Sequence, residues 1–240
     1  MVTEVDEIRE RVEGLRWKDA LEGLWARGYG RLGTVLEERE SEDLRGLYTR
    51  DELFRSRIDM ARYRFGRGEY KYFSYPLPPV IAALRRELYR HLAPTARDWM
   101  AALSLEAAYP AELERFVELC KLAGQTRPTP LLLRYSAGDF NCLHQDLYGD
   151  VVFPFQVVTC LSRPGAEFNG GELLLIEQQP RAQSVGHAIH LEQGEAVVIT
   201  TRYRPVKGSR GFYRTNFRHG VSPILSGERY TLGVVLHDAK

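Results

Sequence analysis

The sequence predicts an α+β fold in a single domain, residues 1–240, with a mainly helical supporting half over 1–125 and a strand-rich core over 126–240. Three observations predict it. Apolar residues of the first half recur at spacings of three and four, the helical period. The second half carries short apolar runs bounded by Gly and Pro, the mark of a sandwich or jelly roll. No linker, repeat or low-complexity stretch separates the halves, so helices brace one face of a sheet.

In chain order, Val5, Ile8, Val12, Leu15, Leu21, Leu24 and Trp25 predict an amphipathic helix from Val5 to about Trp25. Gly14 weakens its middle and Gly28-Tyr29-Gly30 ends it. Arg31 to Leu36 reads as a short strand, Asp43 to Tyr48 as a brief helix, and Phe54 to Phe73 as one or two strands around Gly66-Arg67-Gly68. The aromatics of 70–75 are expected to pack under a sheet, with a substrate-stacking surface as the alternative reading. Pro76-Leu77-Pro78-Pro79 opens a helix with Val80, Ile81, Leu84, Leu88 and Leu92 on one face. Pro94 punctuates it, and helix resumes around Trp99 and Leu103. Ala111 to Leu122 is another helix, stopped at Gly124. Strands follow at Leu131 to Tyr135, Val151 to Leu161, Leu173 to Ile176, Ala196 to Thr201 and Thr231 to Leu236.

A net charge of +1 in 240 residues gives no global field that would seek a polyanion. Cys120, Cys142 and Cys160 lack zinc-like spacing, and the charged N-terminus does not suit a secretory segment; a cytoplasmic, reducing setting with free thiols is expected. No apolar run is long enough for a membrane-spanning helix.

The chemistry concentrates in Leu143-His144-Gln145-Asp146 and, far downstream, Arg218-His219-Gly220-Val221-Ser222, with Arg229 ten residues after His219. Two imidazoles and one carboxylate suit Fe(II) and leave three coordination positions open for a bidentate 2-oxo acid and O2. Strand alternation would turn His144 and Asp146 to one face, with His219 supplied by another strand. The planar fork of Arg229 suits the far carboxylate of the 2-oxo acid. His144, Asp146 and His219 are therefore the expected metal ligands and catalytic centre.

These residues resemble the Fe(II)/2-oxoglutarate-dependent oxygenase superfamily, whose core is a double-stranded β-helix (a jelly roll, cupin-like). Leu133-Arg134-Tyr135-Ser136-Ala137-Gly138 ahead of His144, and Arg229-Tyr230-Thr231-Leu232, resemble elements of AlkB-type enzymes. The likeness implies cofactor-binding roles for Tyr135 and Arg229. Leu133 stands where those enzymes carry Asn, and Val235 where they carry a second Arg; Thr231 resembles the Arg-x-Ser/Thr element of other branches. Nearly the whole chain resembles a prokaryotic family described as oxygenases acting on damaged DNA. The likeness rests on Gly68-Glu69-Tyr70-Lys71-Tyr72-Phe73, Tyr75-Pro76-Leu77-Pro78, His144-Gln145-Asp146-Leu147-Tyr148-Gly149, Phe168-Asn169-Gly170-Gly171-Glu172, Pro180-Arg181-Ala182-Gln183-Ser184 and Arg218-His219-Gly220-Val221-Ser222. It implies oxidative decarboxylation of 2-oxoglutarate coupled to hydroxylation of a C–H bond, with oxidative dealkylation of a damaged or modified nucleobase as the first expectation. Hydroxylation of a protein side chain or small metabolite is the alternative. A non-catalytic binding protein would have no need of all four of His144, Asp146, His219 and Arg229.

Local support for a nucleic-acid partner comes from a stretch without acidic residues between Glu195 and Glu228. There Arg210 and Arg214, with Tyr213, stand among further basic and aromatic residues and are the expected substrate contacts. The same stretch also reads as an ordinary charged hairpin. His187 and His190 are expected to be surface or structural, Cys142 to be core, and His237 to lie close to the cofactor site. Arg163, Arg181 and Gln183 border the pocket only if the family likeness extends to them.

Overall fold

The computed structural model describes residues 4–240. In chain order the elements are α1 (Glu4–Glu13), α2 (Trp17–Arg27), β1 (Tyr29–Thr34), α3 (Glu38–Gly46), β2 (Phe54–Asp59), α4 (Met60–Tyr63), β3 (Gly66–Arg67), β4 (Glu69–Phe73), α5 (Pro79–Ala102) and α6 (Leu113–Leu122). The strands β5 (Leu131–Ser136), β6 (Phe140–His144), β7 (Phe155–Cys160), β8 (Phe168–Gly170), β9 (Leu173–Gln178), β10 (Val185–Ile189), β11 (Glu195–Thr200), β12 (Tyr203–Gly208), β13 (Gly211–Val221) and β14 (Ile224–Val235) complete it.

Two antiparallel sheets face each other. The major sheet runs β1-β11-β7-β14-β5-β4-β2, with β8 also paired to β14; the minor sheet runs β10-β9-β13-β6-β3, with β12 also on β13. Alternation along the central strands divides their side chains between two environments. On β7, Phe155 and Val157 join the cluster under the helices, while Gln156 and Val158 line the space between the sheets. On β14, Leu232 and Val234 face the helices and Arg229, Thr231 and Gly233 face inward. The outer face needs cover, because each exposed Leu or Phe would forfeit roughly 1.5–3 kcal/mol of burial. Helix α5 supplies it, with Trp99 packed edge-on against Phe155 at 5.1 Å and Tyr89 against Phe153 at 5.1 Å. A buried ion pair ties this helix to the chain end: Arg85 lies 2.7 Å from Asp238 and donates to the Leu236 carbonyl at 3.0 Å.

Several sequence expectations need correction. The first helix is two: α1 ends before Gly14, and the indole of Trp17 donates to the Val12 carbonyl at 2.7 Å, turning the chain into α2. Pro94 does not interrupt α5; it lies on the exposed face of the helix. The first half also supplies strands to both sheets. Strand β1 pairs β11, β4 pairs β5 and β3 pairs β6, so residues 29–73 contribute to both sheets. These strands are short and broken by turns, and their period is weak until a partner strand is present. Strand β6 also escaped the pattern, since none of its residues is fully buried. Among the described residues no helix is long and apolar enough to cross a membrane.

Candidate active site

Between the sheets lies a cavity of about 360 Å³, and it brings the sequence-predicted centre together. His144 ends β6 and His219 lies on β13; the two are direct partners in the β6–β13 ladder, with ring centroids 4.2 Å apart. Gly220 permits this approach, because a Cβ there would come within 2.6 Å of the Asn141 carbonyl oxygen. Asp146 lies beyond the end of β6, so strand alternation does not deliver it as expected. The loop is pinned instead by Gln145, whose amide donates to Asn216 Oδ1 at 2.7 Å and to the Phe217 carbonyl at 2.6 Å. The carboxylate of Asp146 then sits 3.5 Å from His144 Nε2 and 3.2 Å from His219 Nε2.

One donor atom from each of the three residues falls within 4.8 Å of the others, close enough to share one ion. His144 Nδ1 lies 2.8 Å from the Cys142 carbonyl. That contact requires an N–H on Nδ1 and leaves the Nε2 lone pair toward Asp146. Burial and the neighbouring His219 ring press the His144 pKa down, favouring the neutral imidazole that metals bind. Burial opposes a charge on Asp146, yet His219, His144 and the Tyr148 hydroxyl together hold it well below the usual carboxylate range. Tyr148 Oη donates to Asp146 Oδ1 at 2.6 Å. Burial and the Asp146 charge push the Tyr148 phenol far up, so it stays a donor. Tyr72 Oη donates in turn to Tyr148 at 3.0 Å. The donor set fits a divalent first-row metal such as Fe(II).

The opposite wall comes from the major sheet. Arg229 on β14 is the ladder partner of Tyr135 on β5. Arg229 is 3 % exposed, and its guanidinium makes no hydrogen bond or ion pair among the described residues. A buried cation without a partner is costly and calls for an anionic ligand. Its stem passes over Gly171, where a Cβ would lie 3.0 Å from Arg229 Cδ. Thr231 Oγ1, two residues on and on the same face, is buried without a hydrogen-bond partner. Tyr135 Oη accepts from Asn141 Nδ2 at 3.3 Å. The cavity thus pairs a metal-type donor set with a cation and free polar atoms able to receive a carboxylate-bearing chelator.

A model of an oxygenase family, described as catalysing oxidative methylation of damaged DNA, matches residues 68–239. The chain belongs to this family. Two uncharacterised proteins, from two Mycobacterium tuberculosis strains, are 53% identical to it over 167 residues, which is 70% of this chain and 72% of theirs. In fold it is similar to a Pseudomonas putida prolyl-4-hydroxylase, with a TM-score of 0.53 and 16% identity over 93% of this chain and 99% of that one. It is likewise similar to an oxidoreductase of the 2OG-Fe(II) oxygenase family from Burkholderia pseudomallei, with a TM-score of 0.51 and 16% identity over 93% and 92% of the two chains. The chain thus shares the jelly-roll fold of these 2OG-Fe(II) oxygenases, and its His144, Asp146 and His219 could hold a metal ion.

Other expected contacts are dispersed. Arg210, Tyr213 and Arg214 lie on the outer part of the β12–β13 hairpin and do not line the cavity. Arg204 of that basic stretch is spent on buried Glu177, 2.7 Å away. Arg163 pairs with Glu38 and Glu167, and neither it, Arg181 nor Gln183 lines the cavity. His237 is buried, its Nδ1 accepting the Phe153 N–H at 3.2 Å, and does not line it either. His187 packs edge-on against Tyr29.

One expectation reverses and another is extended. Cys142 is exposed at the cavity mouth and not in the core. Tyr70 and Tyr72 line the cavity as well as packing. Sequence reasoning missed Gln156, whose amide lies 3.0 Å from His219 Nε2. The available signal was one buried amide within an otherwise apolar strand, Phe155-Gln156-Val157-Val158.

Proposed function

We propose that this oxygenase removes alkyl groups oxidatively from damaged or modified nucleobases, holding Fe(II) on His144, Asp146 and His219 and 2-oxoglutarate on Arg229, Thr231 and Tyr135. The observation that carries the cofactor reading is the buried, unpartnered Arg229 facing a two-His-one-carboxylate cluster across one cavity. The substrate reading rests on the family's description.

When bound, iron and 2-oxoglutarate supply activation of O2, with release of succinate and CO2 and transfer of an oxygen atom to a substrate C–H bond. The chain's own residues do the rest. Arg229 would hold the distal carboxylate of the cosubstrate, with the Thr231 and Tyr135 hydroxyls beside it. Tyr148 orients Asp146 by donating to its Oδ1, and the Cys142 carbonyl keeps His144 in the tautomer that presents Nε2. Val158, Leu173 and Val221 make the walls apolar and limit water. A methyl on a base nitrogen, once hydroxylated, leaves as formaldehyde and restores the N–H.

The test is succinate and formaldehyde release by the iron-loaded protein, with 2-oxoglutarate and a panel of methylated DNA and RNA oligomers and His144→Ala as control. Formaldehyde above the no-oligomer background on one lesion is expected. Succinate without formaldehyde would keep the oxygenase and remove the dealkylation reading, in favour of a protein or metabolite substrate.

A further inference from the structure

We infer that residues 62–67, at the mouth of the iron cavity, form a docking platform for single-stranded nucleic acid, with Tyr63 and Phe65 stacking on bases and Arg62, Arg64 and Arg67 holding phosphates. This rests on the proposed nucleobase reading and moves the contact surface from the β12–β13 hairpin to another part of the chain.

The segment reads Arg62-Tyr63-Arg64-Phe65-Gly66-Arg67. Tyr63 is 49% exposed and Phe65 48%, and their rings stack on each other at 5.6 Å and 21°. None of the three guanidiniums makes a hydrogen bond or ion pair among the described residues. Arg62 instead lies over the Tyr63 ring, 5.8 Å from its centroid. Arg64 and Phe65 line the cavity, so a strand bound here is continuous with the iron site.

The backbone beneath is fixed. Met60 is fully buried under the turn, and Phe65 N–H donates to its carbonyl at 3.0 Å. The Phe65 carbonyl accepts from Cys142 N–H at 2.8 Å, and Gly66 pairs with Asn141 on β6, two residues from Leu143 and three from His144. A Cβ on Gly66 would meet the Phe140 carbonyl oxygen at 2.3 Å, so the close approach to β6 requires glycine. Exposed aromatic rings on a rigid turn are a preorganised surface rather than a frayed one.

The chemistry selects the occupant. Three unpaired cations call for repeated negative charge, and two exposed ring faces for planar groups. Single-stranded nucleic acid offers both at every residue. A polypeptide seldom alternates them, and a fully paired duplex hides its base faces and would have to flip the reacting base out.

The test is fluorescence anisotropy with unmodified single-stranded DNA and RNA oligomers across a salt series, a binding readout independent of turnover. The wild-type protein is expected to bind either oligomer. Tyr63→Ala and Phe65→Ala should each weaken binding by roughly 5- to 150-fold, the worth of a lost base stack. Tyr63→Phe and Phe65→Tyr should retain it. Replacing Arg62, Arg64 and Arg67 with Ala should lower the slope of log K against log salt by roughly 2. His144→Ala should bind like the wild type while losing turnover. That separates the two readings: oligomer binding without dealkylation sinks the proposed reaction and keeps the platform. Wild-type affinity in both aromatic variants, loss confined to Arg210→Ala or Arg214→Ala, or binding of an acidic peptide but no oligomer would each overturn the platform.

Discussion

His144 and His219 face each other across the β6–β13 ladder, 75 residues apart in sequence and 4.2 Å apart between ring centroids. Asp146 completes the cluster from a loop whose position neither strand dictates. If these three hold iron, His144→Ala or Asp146→Ala should abolish succinate formation while leaving the far-ultraviolet circular dichroism unchanged. Fe(II) at 100 times its Kd should raise the unfolding free energy of the wild type by about 2.7 kcal/mol and that of the variants by much less. Equal stabilisation of all three proteins would refute the ligand assignment.

Arg229 should govern the demand for 2-oxoglutarate. Truncating one side of a desolvated charge pair costs about 2–5 kcal/mol, so Arg229→Ala should raise the apparent KM for the cosubstrate by roughly 30- to 5000-fold. Thr231→Val should raise it less. A KM series at saturating iron decides this, and an unaltered value in Arg229→Ala would mean another anchor.

Tyr148 acts through Asp146, by the 2.6 Å hydrogen bond to Oδ1. Groups of this kind typically change metal affinity by about 10- to 100-fold. Tyr148→Phe should therefore weaken iron binding by that order, restored at high metal, with little change in the KM for 2-oxoglutarate. A KM change without an affinity change would place Tyr148 on the cosubstrate.

The Arg85–Asp238 pair should matter for folding and not for chemistry, since neither residue lines the cavity. Both are essentially inaccessible, and removing one partner of such a pair strands the other; Asp238→Ala should cost about 3–5 kcal/mol in urea unfolding. Less than 1 kcal/mol would mean that water reaches the pair.

His237 should make the fold acid-sensitive. Burial, with Arg85 close by, lowers its pKa from the usual 6.5 to about 4. The unfolded chain then binds the proton more readily than the folded one, so the stability contribution is full above pH 6.5 and is lost as pH falls toward 4. The loss is on the order of 3 kcal/mol. His237→Gln should flatten the stability profile in that window, and an unchanged slope would assign it to other groups.

Much of this was legible in the chain. His144, Asp146, His219 and Arg229 stood out because few reactions need those side chains in that order. Buried strands such as β7 and β11 stood out because burial on both faces leaves continuous apolar runs. The parts that were not legible depend on partners. Strand β6 is half exposed and β3 is two residues long, so neither carries a period until paired. Arg204 and Arg62 look alike in sequence, yet one is buried against Glu177 and the other has no carboxylate partner among the described residues. Local pattern cannot distinguish them, because the difference lies in what another strand brings alongside.

The sequence by itself determined the chemistry available: two imidazoles, a carboxylate, an arginine, and the glycines that let strands approach closely. Only the tertiary structure decided which of these meet. Antiparallel pairing set His219 opposite His144, the Gln145 hydrogen bonds turned Asp146 inward, and the facing sheets placed Arg229, with no ion pair among the described residues, in the same cavity. Side-chain type is a local property of the chain, whereas ladder register and sheet packing join residues that the chain holds far apart.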